Sequence, residues 1–107
     1  MDVIARIKDQ LESHPVVLYM KGSPDFPQCG FSAQTVQVLK ACNANFMYIN
    51  IFDEQEVREA LKTYSNWPTY PQLYIKGELV GGCDIIMDLH GKGELAEMLA
   101  AAAATEN

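Results

Sequence analysis

The sequence predicts a small α/β fold, a four-stranded mixed sheet with helices on both of its faces. Three observations predict it. Apolar residues switch along the chain between ~3.6-residue spacing and short β-branched or aromatic runs. One strand–helix–strand passage calls for a parallel, right-handed crossover. Late in the chain, Lys76-Gly77 separates two short apolar runs, a hairpin signal that adds antiparallel strands.

Val3, Ile4, Ile7 and Leu11 repeat at helical spacing behind Asp2, predicting a first helix that ends near Ser13-His14-Pro15. Val16-Val17-Leu18-Tyr19-Met20 is a continuous run of the kind found in a strand buried on both faces. Lys21 to Gln28 is dense in Gly, Ser, Pro and Asp and reads as a loop. A helix resumes after Cys29-Gly30, carrying Val36, Val38, Leu39 and Cys42. Phe46 to Ile51 is the second strand.

Asp53 and Glu56 have the spacing of a capping box, ahead of Val57, Ala60, Leu61 and Tyr64 on one helical face. Gln72 to Ile75 and Glu78 to Val80 form the hairpin, and Gly81-Gly82 ends it. Asp84 is placed to cap a short helix through Leu89, and Leu95, Met98, Leu99 and Ala102 mark the last helix. The order α-β-α-β-α-β-β-α-α is the thioredoxin-like arrangement.

At 107 residues the chain suits one domain, residues 1–107, and buries enough surface to fold without covalent staples. With 49% hydrophobic and 21% charged residues it is neither disordered nor fibrous. Its apolar runs fall far short of the ~18 residues of a membrane span. Met1-Asp2-Val3 opens an acidic periodic segment rather than a basic-then-apolar leader, so a cytoplasmic protein is expected. A net charge of −6 without a Lys/Arg cluster argues against nucleic acid, whose phosphates need a basic face.

The three cysteines, Cys29, Cys42 and Cys83, lack Cys-x-x-Cys spacing, which disfavours both a disulfide scaffold and an internal four-ligand zinc site. On one helix Cys29 and Cys42 lie ~20 Å apart, beyond the ~7 Å that a disulfide spans. Cys42 therefore reads as a small buried hydrophobe. Cys29 stands where a loop hands over to a helix. Unpaired N–H groups and the positive end of the helix dipole there stabilise a thiolate. The fourth position of Cys29-Gly30-Phe31-Ser32 is serine, so two-cysteine chemistry within the motif is excluded.

Tyr70-Pro71 precedes a strand, and a cis bond there would present the Tyr70 backbone to an extended ligand, while a trans bond would leave an ordinary loop. Gly81-Gly82-Cys83-Asp84 combines close backbone approach with a helix N-terminus that favours an anion. Lys21 and Arg58 are cations in an acidic chain. Trp67-Pro68 reads as a packing corner, and His14 and His90 are assigned no role.

Lys21 through Ser32, then Trp67-Pro68-Thr69-Tyr70-Pro71-Gln72, then Gly81-Gly82-Cys83-Asp84 resemble, in order and spacing, the monothiol glutaredoxins of the CGFS type. The similarity covers nearly the whole chain. It implies a thioredoxin-like fold, glutathione binding, and a part in assembling and delivering iron–sulfur clusters. By that resemblance Cys29 would ligate a 2Fe-2S cluster, and Lys21 and Arg58 would meet glutathione carboxylates. The Tyr70 backbone beside cis-Pro71 would meet the tripeptide, Cys83 and Asp84 would hold its γ-glutamyl end, and Phe31 would shape the pocket. Relatives often carry another aromatic or apolar residue at Tyr70, a difference that a main-chain contact tolerates.

A 2Fe-2S cluster takes four thiolates and the motif offers one. Two protomers and two glutathiones complete the set, so a cluster-bridged homodimer is expected. Acceptor apo-proteins and a BolA-like protein are partners implied by the resemblance. The alternative is a thiol–disulfide oxidoreductase that removes glutathione from mixed disulfides through Cys29. Cys83 could also resolve an oxidised Cys29, or contribute only its backbone.

Overall fold

The computed structural model describes residues 2–104. Its elements are α1 (Val3–Glu12), β1 (Val16–Met20), α2 (Gly30–Ala41), β2 (Met47–Asn50), α3 (Gln55–Ser65), β3 (Gln72–Ile75), β4 (Glu78–Gly81), α4 (Cys83–Gly91) and α5 (Glu94–Ala104). That is the expected order. The sheet runs β2-β1-β3-β4. β1 pairs parallel with β2, Val17 opposite Met47, and antiparallel with β3, Leu18 opposite Leu73. β4 returns antiparallel to β3.

Side chains of β1 alternate between two cores, and all five of its residues are buried. Val16, Leu18 and Met20 pack with Val36 and Leu39 of α2, Ile86 of α4, and Leu95 and Leu99 of α5. Val17 and Tyr19 face the other way, onto Ile7 and Leu11 of α1 and Val57 and Leu61 of α3. Burial of each such side chain contributes about 1.5–3 kcal/mol, which makes β1 the element hardest to displace. Lys21, Cys29, Phe31, Cys83 and Asp84 hang from its C-terminal end and from the two helix starts beside it, Tyr70 and Pro71 precede β3, and Arg58 lies within α3.

Several local expectations are corrected. β2 is shorter than the Phe46–Ile51 run: the Ile51 N–H still reaches the Met20 carbonyl at 3.0 Å, but the chain turns there, with the Asp53 N–H on the Asn50 carbonyl. That turn delays α3, so its N-cap is Glu54 and no Asp53–Glu56 capping box forms. The Glu54 carboxylate pairs instead with Arg6 of α1. Asp84 is not the cap of α4 either. Gly82 is, and Asp84 lies exposed in the first turn. Ile4 is exposed, leaving Ile7 and Leu11 as the buried face of α1. Cys42 is half-buried at the C-cap of α2, with its Sγ 3.8 Å from His90 Nδ1.

Candidate functional site

The loop between β1 and α2 is a small closed hairpin. Gly22 and Pro27 form an antiparallel bridge, and the Gln28 N–H donates to the Lys21 carbonyl at 2.9 Å. Gly22 has φ +92°, and a Cβ on it would meet the Phe26 carbonyl oxygen at 2.5 Å. Only glycine fits. Asn50 Oδ1 accepts the Gly22 N–H at 3.1 Å, tying the loop to the end of β2. The loop leaves Phe26 75% exposed and delivers Cys29 as the N-cap of α2.

Cys29 is half-buried, its thiol reduced and free. Its pKa is held below the usual cysteine value, chiefly by the influence of the Ser32 backbone N–H. Burial opposes this. The Phe31 N–H, the Lys21 charge and the Ser32 hydroxyl add to the lowering in that order. The cause is the unpaired first turn of a helix, with one cation nearby. Cys29 is therefore a sulfur accessible to a ligand, with its ionised form favoured by its surroundings.

A cavity of about 540 Å³ opens beside it, lined by Lys21, Cys29, Phe31, Trp67, Thr69, Tyr70, Pro71, Gly82, Cys83, Asp84 and Ile85. Seven of the eight sequence-predicted site residues thus meet in one hollow. The Tyr70–Pro71 peptide bond is cis. Tyr70 lines the cavity although its ring packs in the α1–α3 core and its hydroxyl donates to the Arg58 carbonyl at 2.8 Å. Among the described residues neither the Tyr70 N–H nor its carbonyl has a hydrogen-bond partner. On the far wall, α4 starts at Cys83, so a second helix N-terminus faces the same space.

Arg58 is the exception. It does not line the cavity, and its guanidinium lies over the Phe52 ring, 5.6 Å from the centroid. Cys83 is buried, and its thiol donates to Gln34 Oε1 at 3.4 Å. A wider hollow of about 780 Å³, between the end of α1 and the β3–β4 turn, holds none of the predicted site residues.

Sequence reasoning missed Trp67, Thr69 and Ile85 as cavity walls. Trp67 is more than a packing corner: its Nε1 would lie 3.2 Å from a Cβ placed on Gly82, and the Pro71 carbonyl 3.3 Å. Glycine at 82 is what lets α4 start so close to the Trp67–Pro71 stretch. The signal was available, since the one tryptophan of the chain stands three residues before Tyr70-Pro71.

Among the described residues no group of three or more His, Cys, Asp and Glu side chains could hold a metal. Cys42 sits at the opposite end of α2, and Cys83 is committed to Gln34.

A free thiol at a helix start, opposite a Tyr-Pro turn on a four-stranded mixed sheet, defines a thiol site of the thioredoxin-like class. The Glutaredoxin family model matches residues 16–80. Glutaredoxin 4 of Escherichia coli K12 is 50% identical over 101 residues, covering 94% of this chain and 88% of that protein. The reduced apo form of poplar GrxS14 superposes with TM-score 0.83 at 48% identity, over 96% of this chain and 94% of that one. A buckwheat glutaredoxin–glutathione complex gives TM-score 0.84 at 25% identity, over 95% and 91%. The chain belongs to the glutaredoxin family.

Proposed function

We propose that the chain binds glutathione in the Cys29 cavity and carries a 2Fe-2S cluster between two protomers as cargo for apo-proteins. The observation that carries this reading is the lowered-pKa Cys29 thiol at the rim of a cavity walled by Lys21, Tyr70 and the start of α4. Glutathione has two carboxylates and one amine. The N–H groups of Cys83 and Asp84 suit one carboxylate, the Asp84 side chain suits the amine, and Lys21 suits the other carboxylate. The unpaired Tyr70 N–H and carbonyl suit the extended peptide between them. Phe31, 58% exposed, covers the sulfur end. Arg58 reaches a bound carboxylate only by leaving Phe52, so Lys21 makes the first contact.

Two Cys29 thiolates and two glutathione thiolates supply the four ligands of a 2Fe-2S cluster. Transfer is then ligand exchange: acceptor cysteines replace the four thiolates one by one, and the iron keeps its oxidation state. Half of the departing ligands are small molecules that diffuse away. A cytoplasmic apo-protein or a BolA-like partner would dock on the face around Cys29.

The exposure and lowered pKa of Cys29 also favour a second reading, removal of glutathione from mixed disulfides. Its thiolate attacks the glutathionyl sulfur, and the released substrate thiolate takes a proton. A second glutathione thiolate then attacks the Cys29 mixed disulfide, regenerating the Cys29 thiolate and leaving as glutathione disulfide.

Anaerobic reconstitution with iron, sulfide and glutathione separates the readings. A coloured dimer that passes its cluster to an apo-ferredoxin, and that S-methylglutathione fails to support, is expected. A cluster assembled without any glutathione thiol overturns the carrier reading, and rapid turnover of a glutathione mixed disulfide with no coloured dimer favours the second.

A further inference from the structure

The Tyr70 backbone has to be held open toward the cavity by something, and its own hydrogen bonds do not do it. The neighbouring carbonyls are anchored by one side chain. Gln72 is fully buried, one of three buried polar residues among the described ones. Its Nε2 donates to the Trp67 carbonyl at 3.1 Å and to the Thr69 carbonyl at 3.2 Å. Its Oε1 accepts the Tyr74 hydroxyl at 2.9 Å.

The amide orientation follows from these partners. Carbonyls only accept, so Nε2 must face them and Oε1 must face the hydroxyl. Tyr74 is itself fixed, packed edge-on against Tyr19 with ring centroids 5.6 Å apart. The Gln72 backbone is fixed as well, paired with Tyr19 as the first residue of β3. A chain of contacts thus runs from the central strand through Tyr74 and Gln72 to the segment bearing Trp67, Thr69 and Tyr70.

We propose that Gln72 is the positioning residue of the ligand-binding edge: by drawing the Trp67 and Thr69 carbonyls inward, its amide leaves the Tyr70 N–H and carbonyl turned to the cavity for an extended peptide. The proposal names no contact between Gln72 and ligand, and its binding arm rests on the reading of the cavity as a glutathione site. Tyr74 acts one step further back, by fixing which way the amide points.

The test uses the full-length protein, with S-methylglutathione as a probe that cannot form a disulfide. Gln72→Met keeps the volume and removes all three hydrogen bonds. Calorimetric affinity for the probe is expected to fall about ten-fold or more, as when a preorganised hydrogen-bonding edge is lost. The pH dependence of Cys29 alkylation stays in place, because the first turn of α2 is untouched. Tyr74→Phe, the milder variant should Gln72→Met fold poorly, is expected to weaken the probe about two- to five-fold. In Gln72→Met it adds no further loss, since no amide remains to orient.

In the ligand-free protein, Gln72→Met should speed exchange of the Trp67 amide proton, which donates to the Lys62 carbonyl at 3.2 Å, while β1 amides keep their protection. This arm needs no glutathione. Unchanged exchange at Trp67, or equal loss of protection throughout the sheet, overturns the proposal. So does wild-type affinity in both variants. Wild-type protein that binds no probe overturns the ligand reading alone, and the exchange arm then still decides the role of Gln72.

Discussion

The hydroxyl of Ser32 accepts the Lys21 N–H at 3.2 Å, joining the residue just after β1 to the first turn of α2. Ser32 is fully buried, so this partly buried bond is sheltered on its side and fixes the distance between the Lys21 backbone and the Cys29 turn. The position at which a dithiol motif carries its second cysteine is here a strut. It holds a cation near Cys29 in register with the sulfur, and its own N–H is the largest influence lowering the Cys29 pKa.

A ranking of substitutions follows. Ser32→Ala keeps the backbone N–H and removes the least of the groups that lower the Cys29 pKa, while Lys21→Gln removes a larger one. Both variants should move the pH profile of Cys29 alkylation upward, Lys21→Gln further. Following the Cys29 peptide by mass spectrometry separates it from Cys42 and Cys83. A depressed thiol pKa stabilises the folded chain above the unfolded cysteine value, and that contribution fades as pH falls through the folded value. Both variants should therefore lose more stability at alkaline than at neutral pH. A downward shift, or the reverse ranking, contradicts the geometry.

Cys29→Ser should abolish cluster assembly and leave the fold nearly untouched. The thiol is half-buried, belongs to neither core and makes no side-chain cap bond. Its loss should cost within about 0.5 kcal/mol, as for an ordinary surface substitution. Thermal unfolding and anaerobic reconstitution check the two halves separately. A variant that still binds a full cluster, or that melts far below wild type, would place the sulfur in a different role.

What could be read from the sequence was whatever depends on local periodicity and turn chemistry. The unbroken Val16–Met20 run announced the central strand, and Lys76-Gly77 announced the hairpin, because strand burial and tight turns leave composition behind. The helix starts at Glu54 and Gly82 were misjudged for a tertiary reason. Arg6, distant in sequence, claims the Glu54 carboxylate, and Trp67 lies against Gly82, so neither start follows the capping pattern of its own neighbours. Seven predicted site residues meet in the cavity since each sits at an element end that the topology gathers. Arg58 does not, because the Phe52 ring, in the turn just before α3, offers its guanidinium a nearer resting place. The Gln72 anchor was invisible, as nothing in a Pro-Gln-Leu stretch reveals that the amide is buried.

Gly22→Ala tests the loop that delivers Cys29. The new Cβ would meet the Phe26 carbonyl oxygen at 2.5 Å in a backbone conformation, φ +92°, that alanine disfavours. The cost should be about 1–3 kcal/mol, or a fall in Tm of roughly 4–8 °C per kcal/mol for a domain near this size. Because the Gly22–Pro27 bridge would open, the alkylation profile of Cys29 should change as well. A variant with wild-type Tm and wild-type reactivity would show that the loop closes without this glycine.

Three tyrosines set an alkaline limit. Burial raises the pKa of Tyr19 and Tyr70 well above the usual value and pushes Tyr74 up to about 12, although the Ser65 hydroxyl works against it there. A tyrosine whose folded pKa is raised leaves stability intact below its unfolded value, ~10, where both states are protonated. Above ~10 the unfolded chain ionises first and draws the equilibrium toward itself, and stability falls as pH climbs toward the folded values. The urea midpoint should thus hold steady up to about pH 9.5 and then decline, with tyrosinate absorbance rising together with loss of structure. Tyr74→Phe removes one of the three ionisations, so its midpoint should start lower, for the lost hydroxyl bond to Gln72, yet decline less steeply with pH. A wild-type midpoint that stays flat through pH ~12, or a Tyr74→Phe slope equal to wild type, would mean that these phenols ionise freely in the folded protein.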